Sequence, residues 1–131
     1  MQFEFKELDM TEKEIFIEEL KQRTKKFVVD IIKLCDTLKD SKATPVVTYQ
    51  LIKSSSSSGA NYRAACRARS KAEFFSKICI VVEEADESEY WLELIYEANL
   101  TTDKEELGRL TIEANEITKI MTKAKNTTYN K

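Results

Sequence analysis

Residues 54–66 read SSSSSGANYRAAC, and whether five serines and a glycine form a flexible tether or a packed helix decides the architecture. As a tether, the run would cut the helix that starts near Pro45 to about nine residues, too short to persist alone. The chain would then divide into two hairpins with half a core each. As a helix, the run costs about 0.5 kcal/mol for each serine and about 1 kcal/mol for Gly59 relative to alanine, which packing must offset. The spacing of Leu51, Ser55, Ser58, Tyr62 and Ala65 carries one helical face straight through the serines, and small side chains there let a neighbouring backbone approach while hydroxyls bond to the preceding turn. The helical alternative is therefore expected.

Composition points the same way. A chain of 131 residues with 42% hydrophobic content is the size of one domain with one core. Two glycines, one proline and 34% charged residues make a helix-rich, all-α composition. The longest apolar run, Ile78 to Val82, is far too short to cross a bilayer, and the acids of MQFEFKELDM interrupt anything like a signal sequence. A cytoplasmic protein without membrane contact is expected.

Enzyme chemistry finds little to work with. Histidine is absent, so a Ser-His-Asp or Cys-His mechanism has no base. Cys35, Cys66 and Cys79 have no CxxC spacing and sit among apolar or small neighbours, as reduced core thiols do. A di-metal carboxylate site would want Glu-x-x-His pairs that are missing here. Glu84 and Glu87, one turn apart, are expected to face solvent. No catalytic residue, metal, cofactor or small-molecule substrate is expected.

Start signals divide the chain into four helices. Thr11-Glu12-Lys13-Glu14, Ser70-Lys71-Ala72-Glu73 and Thr102-Asp103-Lys104-Glu105 each have the form of a capping box. Thr44-Pro45 supplies an N-cap followed by proline at the first helical position. From these starts run the seams Ile17, Leu20, Thr24, Phe27, Ile31, Leu34, Leu38; Phe74, Ile78, Val81, Ala85, Ser88, Leu92, Ile95; and Leu107, Leu110, Ala114, Ile117, Met121, Ala124. The expected helices are about 12–39, 45–66, 71–98 and 103–125 in a single domain spanning 1–131, with 1–10 as an N-terminal tail in which Phe3 and Phe5 alternate. Short connections make successive helices antiparallel neighbours in an up-down-up-down bundle.

The segments SSGANYRAACRARSKAEF and EADESEYWLEL resemble the four-helix-bundle proteins encoded within intervening sequences of bacterial 23S ribosomal RNA, a family related to the accessory protein of diversity-generating retroelements. The resemblance runs from about Glu12 to Lys125 and is most specific between Gly59 and Phe74. It implies a left-handed antiparallel four-helix bundle, commonly a homopentamer, with no known catalytic activity. For the retroelement relatives it implies binding of nucleic acid and reverse transcriptase through a basic surface. This chain departs from the pattern in carrying Ala64 where the closest members have Glu after Asn-Tyr-Arg, and in a net charge of −2 where the nucleic-acid-binding relatives are strongly basic.

Net charge hides an uneven distribution. Residues 83–106 hold ten acids and one lysine, whereas Arg63, Arg67, Arg69, Lys71 and Lys77 face only Glu73 across residues 61–77. In an up-down-up-down bundle the second turn shares its end with Lys119, Lys123 and Lys125, giving a basic end that Glu12, Glu14, Glu18 and Glu19 weaken. Lysines at a helix C-terminus and acids at a helix start also suit the macrodipole with no partner at all. Extra apolar stripes, Val28, Ile32 and Cys35 on the first helix and Trp91, Leu94 and Ala98 on the third, serve either a wide core or a subunit interface. Adjacent Tyr90 and Trp91 must point in different directions. The function expected is a non-enzymatic homo-oligomer that binds RNA or a nucleic-acid-associated protein, with Arg63, Arg67 and Arg69 on phosphate and Lys71 adding charge. The alternative is a protein scaffold or accessory subunit docking through the acidic end of the third helix.

Overall fold

The computed structural model describes residues 10–129, in which four helices follow one another: α1 Glu12–Cys35, α2 Thr44–Ala65, α3 Lys71–Glu97 and α4 Lys104–Tyr129. No strand occurs among the described residues. The expected tail, with Phe3 and Phe5, lies outside the described residues except for Met10.

The helix starts are built by side-chain caps, though not always by the expected residue. Thr11 forms a full capping box, its hydroxyl accepting from the Glu14 N–H at 3.1 Å while Glu14 accepts from the Thr11 N–H at 2.9 Å. Ser70 accepts from the Glu73 N–H at 3.0 Å, but Glu73 returns to the N–H of Arg69 rather than Ser70, so the second box is only half formed. Thr102 does not cap α4. Asp103 does, accepting from the Glu106 N–H at 3.1 Å, while Thr101, fully buried, accepts from the Asp103 N–H. Nor does Thr44 cap α2, since it is already helical; its N–H is met by the Ser41 hydroxyl and its own hydroxyl donates to the Lys39 carbonyl. In each case a hydroxyl or carboxylate two to four residues away reaches the orphan amide first.

The helix ends also shift. α1 stops at Cys35, short of the expected 39, because Thr37 and Leu38 turn back onto Leu34 and Cys35 and the Lys39 N–H leaves the helix to donate to the Leu100 carbonyl at 2.8 Å. α3 ends through Asn99, a residue in the left-handed region (φ 57°), whose side chain accepts from Lys104 while the Leu100 N–H returns to Ile95. The Lys39–Leu100 bond brings the α1–α2 and α3–α4 connections together at one end.

Helix order around the bundle is set by packing of each helix on the next and of α1 on α4. Arg23 of α1 donates to Glu113 at 2.7 Å and Glu116 at 2.6 Å, whereas Asp30, two turns further along, accepts from Arg109 at 2.7 Å. Numbers rise along one helix as they fall along the other, so α1 and α4 run in opposite directions. The α2–α3 turn therefore shares its end of the bundle with the start of α1.

The four seams bury a continuous core. Leu20, Phe27, Ile31, Leu34, Leu51, Tyr62, Ala65, Ile78, Val81, Leu92, Ile95, Leu107, Leu110, Ile117 and Met121 are all buried. The serine tract lies inside α2 as expected, with Ser54, Ser55 and Ser58 among the most buried polar residues. Ser58 donates to the Ser55 carbonyl at 2.7 Å and Ser55 to the Ile52 carbonyl at 3.3 Å. The Ser54 and Ser88 hydroxyls meet across α2 and α3 at 2.9 Å, and each also reaches a carbonyl of its own helix, Leu51 at 3.2 Å and Glu84 at 2.9 Å. No buried side-chain nitrogen or oxygen among the described residues lacks a partner. At Gly59 an added Cβ would meet Val28 Cγ2 at 3.5 Å and the Thr24 carbonyl oxygen at 3.6 Å, which is ordinary contact.

Gly59→Ala is expected to stabilise the fold by about 0.5–1 kcal/mol, since alanine fits and the unfolded chain loses freedom. Ser58→Leu, at full burial, should cost about 1–3 kcal/mol by overpacking. Urea denaturation of the two variants checks both signs, and a destabilised Gly59→Ala would show that this site has no room for a methyl group.

The α1–α4 seam sets a pH dependence. Burial raises the Asp30 carboxyl, but hydrogen bonds from Lys26 and Arg109 outweigh it and hold Asp30 below its ordinary value. The Arg109 hydrogen bond likewise holds Glu106 down against burial. A depressed folded value contributes stability above the usual carboxylate range, and that contribution disappears as pH falls through the lowered values. Arg109→Ala should therefore destabilise the protein by about 1 kcal/mol at neutral pH, and the gap to wild type should close as pH falls below the ordinary carboxylate range and through the lowered values. Chemical denaturation across pH would show the two curves converging.

Candidate functional site

The α2–α3 turn is short because α2 ends on a tight i to i−3 turn. The N–H groups of Arg67 and Ala68 donate to Ala64 and Ala65, both at 3.0 Å, and the Ser70 cap starts α3 at once. This places Arg63 on the last turn of α2, Arg67 and Arg69 in the connection, and Lys71 at the first residue of α3. All four are exposed. The turn brings the four expected site residues to one end of the molecule.

Their electrostatic partners differ. Arg69 makes a long ion pair with Glu73 (3.6 Å) with its side chain 90% exposed, which contributes little. Arg63, Arg67 and Lys71 make no ion pair among the described residues. The chain has five arginines. The other two are paired along the α1–α4 seam, Arg23 with Glu113 and Glu116 and the half-exposed Arg109 with Asp30 and Glu106. The Glu113 hydrogen bond raises the Arg23 guanidinium further above its already high value, and Glu106 does the same for Arg109. Arginine is thus divided between intramolecular carboxylates and an open turn.

The remaining charges of this end are mixed. Lys119 and Lys123 are exposed, flanking a shallow groove on α4 with Thr118, Thr122 and Asn126, whereas Lys77 and Lys125 are half-buried. Glu12, Glu14 and Glu19 are exposed at the start of α1, and Glu18 pairs with Lys21 at 3.2 Å. Cys66, at the end of α2, is raised mainly by burial and is influenced by both Lys21 and Glu18, so the first turns of α1 lie beside the arginine turn.

The basic residues from Arg63 to Lys71 belong to a longer acid-free segment. From 41 to 72 the chain carries no Asp or Glu but has Lys42, Lys53, Arg63, Arg67, Arg69 and Lys71. On α2 the residues Val46, Tyr49, Lys53, Ser56, Ala60 and Arg63 are exposed at steps of three and four, and Arg67 continues the line into the turn. They form one outward face. The signal was legible in the sequence as the gap between Asp40 and Glu73.

Elsewhere the thiols and carboxylates differ in their surroundings. Burial pushes Cys35 up to about 11, so it is a neutral thiol, and all three cysteines are free. Glu84 and Glu87 do not simply face solvent. Both are half-buried, Glu87 accepts from the Trp91 indole N–H at 2.9 Å, and burial together with Glu87 raises Glu84. No group of three or more potential metal ligands occurs among the described residues.

The extra apolar stripes split between core and surface. Cys35 joins the core and Val28 lies against the Gly59 position, while Ile32 stays open. Trp91 packs on the core and meets the exposed Tyr90 edge-on, ring centroids 5.1 Å apart. No helix among the described residues is long and apolar enough to cross a membrane.

Comparison with known proteins agrees with this geometry. A solved structure from Bacteroides thetaiotaomicron VPI-5482, of a protein with unknown function from the S23 ribosomal protein family, is similar with a TM-score of 0.75 at 31% identity, over 84% of this chain and 97% of that one. No curated protein is similar enough to count as a match. The profile of the family described as 23S rRNA-intervening sequence protein matches residues 18–123, nearly the whole bundle. With four packed helices and that match, the chain belongs to the 23S rRNA-intervening sequence protein family.

Proposed function

We propose that this protein acts by binding rather than by catalysis, as a homo-oligomeric bundle that holds RNA through the α2–α3 turn. The single observation that supports this most is the division of the arginines. Two are paired with carboxylates along the α1–α4 seam, and three stand exposed at the end of α2 and in the connection after it, inside a 32-residue span free of acids. Guanidinium groups so placed suit bidentate contact with phosphate, with Lys71 as an added point charge. A net charge of −2 does not prevent this, because phosphate responds to the local field and more distant acids are screened beyond about 8–10 Å. The family's link to 23S rRNA favours RNA over other polyanions. Action in the cytoplasm fits that partner.

Assembly is supported by apolar side chains left in water. Ile32, Tyr90, Tyr96 and Ile112 are exposed on α1, α3 and α4, and large exposed residues of this kind anchor subunit contacts. A pentamer is the stoichiometry that the family resemblance favours. A second function, docking of a partner protein, is favoured by exposed Tyr90 and Tyr96 among the ten acids of residues 83–106.

RNA affinity should fall linearly with salt on logarithmic axes, and each Ala substitution at Arg63, Arg67 or Arg69 should lower the slope by about one. Anisotropy titrations at several salt concentrations measure this, and no binding at low salt would end the RNA assignment. Nuclease treatment before pull-down distinguishes a protein partner, which survives it. Sedimentation should give a mass several times the 15.2 kDa of one chain, and a monomer mass would remove the assembly.

A further inference from the structure

We infer that the outward face of α2, from Arg67 back to Tyr49, is a track for single-stranded RNA, with phosphates held at the arginine end and a base stacked on Tyr49. The inference rests on the RNA function proposed above and extends it from a turn to a helix face.

Tyr49, Lys53, Ser56, Ala60 and Arg63 are all exposed on α2, the fourteen steps from Tyr49 to Arg63 span about 21 Å at 1.5 Å per residue, and exposed Arg67 follows just past the helix end. That length suits several nucleotides of an extended strand. Nothing on α2 opposes a polyanion, since the helix contains no carboxylate.

Charge falls along the track. Arg63 and Arg67 have no ion pair among the described residues, whereas Lys53 sits in the field of Glu84, which with Glu87 lines the α3 side of that region. The attraction is therefore strongest at the turn and weak near Tyr49, where affinity must come from something other than charge. The Tyr49 ring, 63% exposed, supplies it. Stacking on an aromatic face is open to any unpaired base and closed to bases held inside a duplex. Between the two ends, Ser56 and Ala60 present only short side chains to an approaching backbone.

The test uses the full-length protein, a labelled oligouridylate, and an RNA duplex with the same number of phosphates. Tyr49→Ala should weaken the single strand about tenfold with the salt slope unchanged, and Tyr49→Phe should restore it. Ala60→Glu, an exposed change to a good helix former, should weaken the single strand several-fold by placing a carboxylate midway. The track is overturned if both Tyr49→Ala and Ala60→Glu bind like wild type while Arg63→Ala weakens binding, which would leave the RNA function confined to the turn. Tighter binding of the duplex than of the single strand would also overturn it. If the wild-type protein binds neither RNA, or retains only a protein after nuclease treatment, the RNA function falls and the track with it.

Discussion

The architecture depends on hydroxyl groups that stay inside the helix. Serine is a weak helix former because its side chain competes for backbone hydrogen bonds in other conformations. In α2 that competition is resolved in favour of the helix: Ser55, Ser56 and Ser58 each donate to a carbonyl three residues back, and Ser54 bonds across to Ser88. Satisfied hydroxyls can be buried at little cost, and their small volume lets α1 and α3 close on α2. With the tract helical, α2 reaches the length of a real bundle member, and one core forms instead of two halves.

The same principle governs charge. Asp30 is buried, yet it accepts from both Lys26 and Arg109, and Arg23 clamps Glu113 and Glu116 across the same seam. These pairs complete an α1–α4 junction in which charged side chains span the two helices. Because Arg23 and Arg109 are used there, the arginines that remain available to a partner are those of the α2–α3 turn. Fold and site are linked through a finite number of guanidinium groups.

Much of the fold was legible in the sequence because helical periodicity depends on local spacing. Every seam residue from Leu51 to Ala65 and from Ile78 to Ile95 is buried as its spacing required. The caps were less legible. Ser41, Asp103 and Arg69 displaced the expected partners because cap choice depends on backbone angles within a turn, which spacing alone does not fix. The cross-bundle pairs Arg23–Glu113 and Asp30–Arg109 join residues about 80–90 positions apart, beyond any local pattern. Arg63, Arg67, Arg69 and Lys71 were legible as a cluster, while Tyr49 and Lys53 were missed because a helix face has to be read over five turns.

The contact between Lys39 and Leu100 fastens one helical hairpin to the other through their main chains, at the end opposite the arginines. The α2–α3 connection joins the same two hairpins covalently at the other end, so they are tied at both ends, and the arginines sit on a short link anchored by a helix on either side.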